Sequence, residues 1–233
     1  MKSVLQQVPW LSRSSITFEA EKLRKGYESF TGKRLLIPVP VEAIIEKYLG
    51  IHLSYDDLDE ILGKADVLGA TWVEEKKMII NSNLLEGAEG RQAFTLGHEA
   101  GHWMLHKDFL TSCFRRGDSG PTIVCRKRDS KIRAEWQADY FAACLLMPEE
   151  EVTRAFETCY GPDPLVMVNR KSFLGPLAKM SHPAIDPALD TAKGIAREVI
   201  EAGGFSNCSK EAMRYRLEDL GLLINKAESR SNR

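Results

Sequence analysis

Residues 93–106 read Ala-Phe-Thr-Leu-Gly-His-Glu-Ala-Gly-His-Trp-Met-Leu-His, and 28 residues later residues 134–148 read Ala-Glu-Trp-Gln-Ala-Asp-Tyr-Phe-Ala-Ala-Cys-Leu-Leu-Met-Pro. Both stretches have the apolar recurrence of a buried helix. In the first, Phe94, Leu96, Trp103, Met104 and Leu105 supply the apolar surface, and the spacing predicts a helix over about 91–106. In the second, Ala138, Phe141, Ala142, Leu145 and Leu146 do so, over about 131–147, with Pro148 as the stop. Gly97 and Gly101 lie four apart, so one side of the first helix lacks bulk and admits another backbone closely.

Within the first helix, His98, Glu99 and His102 form the pattern HExxH. Positions four apart share a helical face, so both imidazoles can reach one ion, and neutral imidazole nitrogen suits Zn2+. Glu99 sits beside that stripe, where it can take a proton from a water acidified by the metal. A hydrolytic zinc site needs a third protein ligand and one open position. Glu135, on the second helix, is the candidate ligand. Asp139, one turn further along the same face, is the candidate acceptor for the outer N–H of a ligating imidazole. His106 lies on the same stripe but about 6 Å further along the helix, which disfavours it as a ligand and places it at the cleft edge or behind the ligands. Cys125 and Cys113 rank lower still as ligands, and Tyr140 and His106 are the candidates for a second oxyanion donor.

Outward from these helices, apolar spacing predicts a helix from Thr17 to about Phe30. A second, opened by Pro40, covers VEAIIEKYLG to Gly50. Ile51, Leu53 and Tyr55 alternate as in a strand, followed by strands over Val67–Val73 and Lys77–Asn81 with a turn near Glu75 and Lys76. Residues 81–90 read as loop. Residues 107–133 carry eight basic against three acidic residues, net +5, with Gly117, Gly120 and Pro121 marking a loop and Thr122–Arg126 a short hairpin. Beyond Pro148 come a helix over Glu149–Thr158, a Pro/Gly-rich connector over Gly161–Pro187, and helices near Ala188–Ala202 and Ser209–Leu220. Gly221 caps the last of these, Ser209 is a weak N-cap, and the final residues fray. The fold class expected is α+β: a small, mostly antiparallel sheet packed on the HExxH helix and a second metal-ligand helix, then a C-terminal helical unit. The boundaries expected are an N-terminal arm (1–16), a zinc peptidase domain (17–148) and a C-terminal helical region (149–233).

Composition narrows the function. A chain of 233 residues, 43% hydrophobic, can bury one sizeable core or a core plus a small satellite unit. Net charge is −1, which does not suit a general polyanion binder. Residues 209–233 have six basic and four acidic side chains, a thin footprint for DNA, so direct nucleic-acid binding is not expected. No apolar run approaches the ~18 residues that span a bilayer, and the N-terminal stretch does not read as a secretory signal. Five widely spaced cysteines without a CxxC pair suit reduced thiols in a cytoplasmic protein.

The two helical stretches, with VPVEAIIEKYLGIHLSY at 39–55 and SKEAMRYRLEDLGLL at 209–223, resemble the ImmA/IrrE family of metallo-endopeptidases over about Thr17 to Leu223. The resemblance implies a zincin-like fold and a gluzincin-like site with His98, His102 and Glu135 as ligands and Glu99 as base. It also implies a substrate class: helix-turn-helix repressors encoded nearby, in mobile-element, stress-response or toxin–antitoxin-like systems. The chain has no evident N-terminal helix-turn-helix domain, so a separate repressor protein is the expected partner. Two other readings are a zinc-containing anti-repressor that sequesters its partner uncleaved, and a DNA-associated regulator. A Glu99→Gln variant separates the first from an enzyme, because sequestration survives it.

Overall fold

The computed structural model describes residues 4–84, 89–113, 122–126, 132–169, 172–174 and 191–225. It divides into two compact units, Met1–Leu146 and Met147–Arg233.

The first unit opens with a 3-10 turn, Val4–Gln7, followed by helix α1, Arg13–Thr31. Ser12 caps α1 by accepting from the Ser15 N–H, and Gly32 ends it in the left-handed conformation. Residues 1–16, expected as a loose arm, are in part anchored: Val8 is buried with Leu110, Ile123, Cys125 and Ala134, and Ile16 is buried within α1. Helix α2, Val41–Ala43, passes into a π-helical stretch, Ile44–Tyr48, where the Leu49 N–H donates to the Ile44 carbonyl. Strand β1 is His52–Asp56. Helix α3, Leu58–Leu62, was not visible in the sequence pattern because five residues hold too little of the 3.6 period. Its ends are nonetheless specified, by Asp57, which accepts from the Asp59 and Glu60 N–H groups, and by left-handed Gly63.

Strands β2 (Val67–Trp72), β3 (Lys77–Asn81) and β4 (Ile123–Arg126) complete a four-stranded sheet in the order β1-β3-β2-β4. The β2–β3 and β2–β4 pairs are antiparallel and β1–β3 is parallel, so the sheet is mixed, with antiparallel pairing in the majority. An irregularity between Val67 and Gly69 breaks the alternation of β2. Val67 and Ala70 therefore join Leu58 and Ile79 on one face, while Gly69 and Thr71 face the long helix α4, Glu89–Cys113. That helix begins two residues earlier and ends seven residues later than its sequence pattern indicates. The hairpin expected at Thr122–Arg126 is the single strand β4, joined to β2. The loop glycines and Pro121 of this region, with Arg115, Arg116, Lys127, Arg128 and Lys131, lie outside the described residues.

Helix α5, Arg133–Leu146, buries Ala134, Glu135, Gln137, Ala138, Phe141, Ala142, Cys144, Leu145 and Leu146 against its neighbours. It packs on both α1 and α4. The α4–α5 seam is made of small residues. A Cβ on Gly97 would stand 3.2 Å from Ala142 Cβ, and one on Gly101 would stand 3.1 Å from Ala138 Cα and O. Gly97 meets Ala142 and Gly101 meets Ala138, so the two helices run antiparallel.

In the second unit, helix α6, Glu149–Tyr160, follows Pro148, which occupies its N-cap position. The stretch expected as connector contains strands β5 (Leu165–Asn169) and β6 (Ser172–Leu174). With β7 (Leu223–Asn225) they form a second sheet, in the order β6-β5-β7. Gly161, Pro162 and Pro164 dominate the local composition and hide the apolar run that follows them. The C-terminal unit is thus mixed rather than helical throughout. Helix α7 is Thr191–Gly203 and helix α8 is Lys210–Asp219, with Ser209 accepting from the Ala212 N–H and Gly221 in the left-handed region. The remainder of the connector and the residues expected to fray lie outside the described residues.

The seam gives a stability test. Gly101→Val places a branched side chain against the Ala138 backbone and Phe141. It is expected to lower unfolding free energy by about 2 kcal/mol, in the range typical of overpacking, in urea denaturation of the metal-free protein.

Candidate metal and catalytic site

The close seam brings the inner faces of α4 and α5 together. His98 Nε2 lies 3.1 Å from His102 Nε2 and 3.1 Å from Glu135 Oε2, and His102 Nε2 lies 3.4 Å from Glu135 Oε1. Ligands about 2.0–2.1 Å from one tetrahedral ion stand about 3.3–3.4 Å apart, so this triangle has the size of one face of a zinc site. Cys125 joins the group: its Sγ and one ligand atom from each of His98, His102 and Glu135 all lie within 4.8 Å of one another.

The outer ring nitrogens are tied down in a way that fixes the inner ones. Gln137 Nε2 donates to the Pro9 carbonyl over 3.0 Å, and that oxygen can only accept. Gln137 Oε1 therefore faces His106 Nε2, 2.8 Å away, and the imidazole must donate. Neutral His106 then presents a lone pair at Nδ1, and His102 Nδ1, 2.9 Å distant, must carry the proton. The consequence is a bare lone pair on His102 Nε2, pointing into the triangle. His98 Nδ1 is held the same way by Asp139 Oδ1 at 2.8 Å. Asp139 thus stands behind His98, and His106 stands behind His102. His106 is buried, not at a cleft edge.

The ionisation of these groups follows from their surroundings. Burial lowers the pKa of His106, and the neighbouring His102 lowers it further, to about 3, so it is neutral at ordinary pH. Burial also opposes a charge on His98. The carboxylates of Asp139 and Glu135 outweigh that penalty and raise it to about 10. For Glu135, burial works against the carboxylate, but the neighbouring imidazoles of His102 and His98 prevail and hold it at about 2. Burial, with Glu99 and Glu135 close by, pushes the Cys125 thiol well up. The triangle is therefore a place where positive charge is favoured, and a divalent cation can replace the proton there.

Glu99 is fully buried beneath the sheet. Its Oε2 accepts from Thr71 Oγ1 over 3.0 Å, while Oε1 has no hydrogen-bond partner among the described residues. Room for it comes from Gly69, where a Cβ would stand 2.3 Å from Glu99 Oε1. Sequence reasoning did not find Gly69, Thr71 or Gln137, and it ranked Cys125 low. Three of these depend on the register and packing of the sheet, which no local spacing reveals. Gln137 lies within the quoted helix, but its role depends on Pro9, 128 residues away. Tyr140, considered as an oxyanion donor, stacks on Trp136 and lies beneath the Arg13 guanidinium.

This combination of a zincin-like α+β fold and a histidine–carboxylate cluster is that of a metallopeptidase class. The chain belongs to the IrrE N-terminal-like domain family, Peptidase M78, the ImmA/IrrE family, whose match covers residues 46–163, about half of its length. The match is narrower than the resemblance seen in the sequence. No curated protein matches the chain. Among the described residues no helix is long and apolar enough to cross a membrane.

The glycine beneath Glu99 can be tested directly. Gly69→Ala is expected to displace the Glu99 carboxylate, break the Thr71 bond and cost about 1–3 kcal/mol in chemical denaturation. The same variant is expected to match the wild type in metal content by atomic absorption, because the histidine–Glu135 triangle is untouched.

Proposed function

We propose that this protein is a zinc-dependent endopeptidase. His98, His102 and Glu135 hold the ion, Glu99 is the general base, and Asp139 and His106 orient the two imidazoles. The observation that carries the reading is the 3.1–3.4 Å triangle of inward-facing ligand atoms, with the buried and half-partnered Glu99 carboxylate beside it. When bound, the ion supplies Lewis acidity, lowering the pKa of water toward 7 and polarising the scissile carbonyl.

The chain's own residues do the rest. Thr71 anchors one oxygen of Glu99, leaving Oε1 to take a proton from the attacking water and return it to the leaving amine. Gly69 keeps that oxygen in place. Asp139 and the His106–Gln137–Pro9 chain hold the Nδ1–H of each imidazole outward, so that Nε2 of each is the atom offered to the ion. Strand β4 stands at one edge of the sheet, pairing with β2 on its inner side, and its outer edge suits an extended peptide added as a further strand.

The substrate class that the family resemblance favours is a helix-turn-helix repressor encoded nearby, in a mobile-element, stress-response or toxin–antitoxin-like system, with transcription regulated by its cleavage. The five cysteines are all free, which fits a reducing compartment and a cytoplasmic site of action.

Glu99→Gln decides between cleavage and sequestration. The variant is expected to retain stoichiometric zinc and to lose about 10²–10⁴-fold in hydrolysis of the repressor, followed by mass spectrometry of the products. Unchanged cleavage by Glu99→Gln, or wild-type protein that takes up no metal, would overturn the proposal. Gly69→Ala should share the activity loss.

A further inference from the structure

The triangle of His98, His102 and Glu135 accounts for three positions of a tetrahedral site, and one side chain stands ready for the fourth. Cys125 lies on β4 directly opposite Gly69 of β2, in the row that faces α4. Its thiol is buried, and it shares the 4.8 Å cluster with the three ligand atoms. A second observation points to the same place. Glu99 Oε1, fully buried and with no hydrogen-bond partner assigned among the described residues, occupies the space above Gly69, Cys125's cross-strand neighbour.

We propose that Cys125 is the fourth ligand of the metal in the resting protein, so that the peptidase is latent until the thiolate is displaced. The inference rests on the reading that His98, His102 and Glu135 hold zinc. The exchange balances: the Cys125 S–H bond breaks, its proton leaves to solvent, and the sulfur lone pair bonds to the ion in place of water. In that state the coordination is closed, as in structural zinc sites, and no position is left for the attacking water. On release the sulfur–metal bond breaks, the thiolate takes up a proton, and water regains the open position.

Position on the sheet supplies the means of release. β4 is an edge strand of four residues, held on its inner side by β2. A peptide strand pairing along its outer edge pulls on the element that carries the thiol. The substrate that needs the open position is thus the one that opens it.

X-ray absorption at the zinc edge on the metal-loaded full chain tests this without reference to activity. The wild type is expected to show one sulfur at about 2.3 Å beside nitrogen and oxygen at about 2.0–2.1 Å. Cys125→Ala and Cys125→Ser should still bind one zinc, lose the sulfur shell and cleave faster than the wild type. Cobalt-loaded wild type should carry a sulfur-to-cobalt charge-transfer band that both variants lack. A shell of nitrogen and oxygen alone in the wild type overturns the proposal and leaves the peptidase reading standing. Failure to take up any metal removes both. The wild-type spectrum decides the matter even if the variants fold poorly.

Discussion

The distance between two helix backbones governs this site. α4 and α5 approach closely because Gly97 and Gly101 oppose Ala142 and Ala138, and any larger residue would meet atoms already at 3.1–3.2 Å. Glycine in a helix interior costs about 1 kcal/mol relative to alanine, so two glycines four apart in a 25-residue helix weaken it locally. What they provide is reach. Histidine from one helix and glutamate from the other can close a triangle of 3.1–3.4 Å only while the helices stay this near.

A second constraint acts through hydrogen bonds. A ring nitrogen can hold a metal only when its lone pair faces inward, and in a buried site the outer nitrogen decides that. The deciding group for His102 is the Pro9 carbonyl, two residues and an amide away from the ring. Pro9 and the buried Val8 precede the part of the chain that matches the family, residues 46–163. The N-terminal segment therefore does more than cover the core. It fixes the proton positions in the centre of the site.

The sequence made His98, Glu99, His102, Glu135 and Asp139 legible because each relation among them is either a helical period or a pairing that such periods permit. The structure brings these five together. The long helices were legible for the same reason, with ends shifted where caps rather than periodicity decide. Less local relations were hidden. Cys125 meets the site only because β4 pairs with β2 in a register that sets it opposite Gly69, and Thr71 reaches Glu99 only because the irregularity after Val67 turns that face of β2 toward α4. A strand three or four residues long, such as β4, β6 or β7, has too few alternations to announce its face. The three-stranded sheet of the second unit went unseen for this reason, its middle strand masked by flanking proline and glycine.

Charge balance explains why such a cluster exists in the core at all. Glu99 and Glu135 are both buried, and each has an oxygen with no hydrogen-bond partner among the described residues. Two buried carboxylates in one cavity oppose folding unless something positive stands between them. Thr71 offers Glu99 a hydrogen bond, and Asp139 and Glu135 together favour a positive charge on His98 against the cost of its burial. A divalent cation at the triangle would supply further positive charge there, and its binding free energy would add to the stability of the fold.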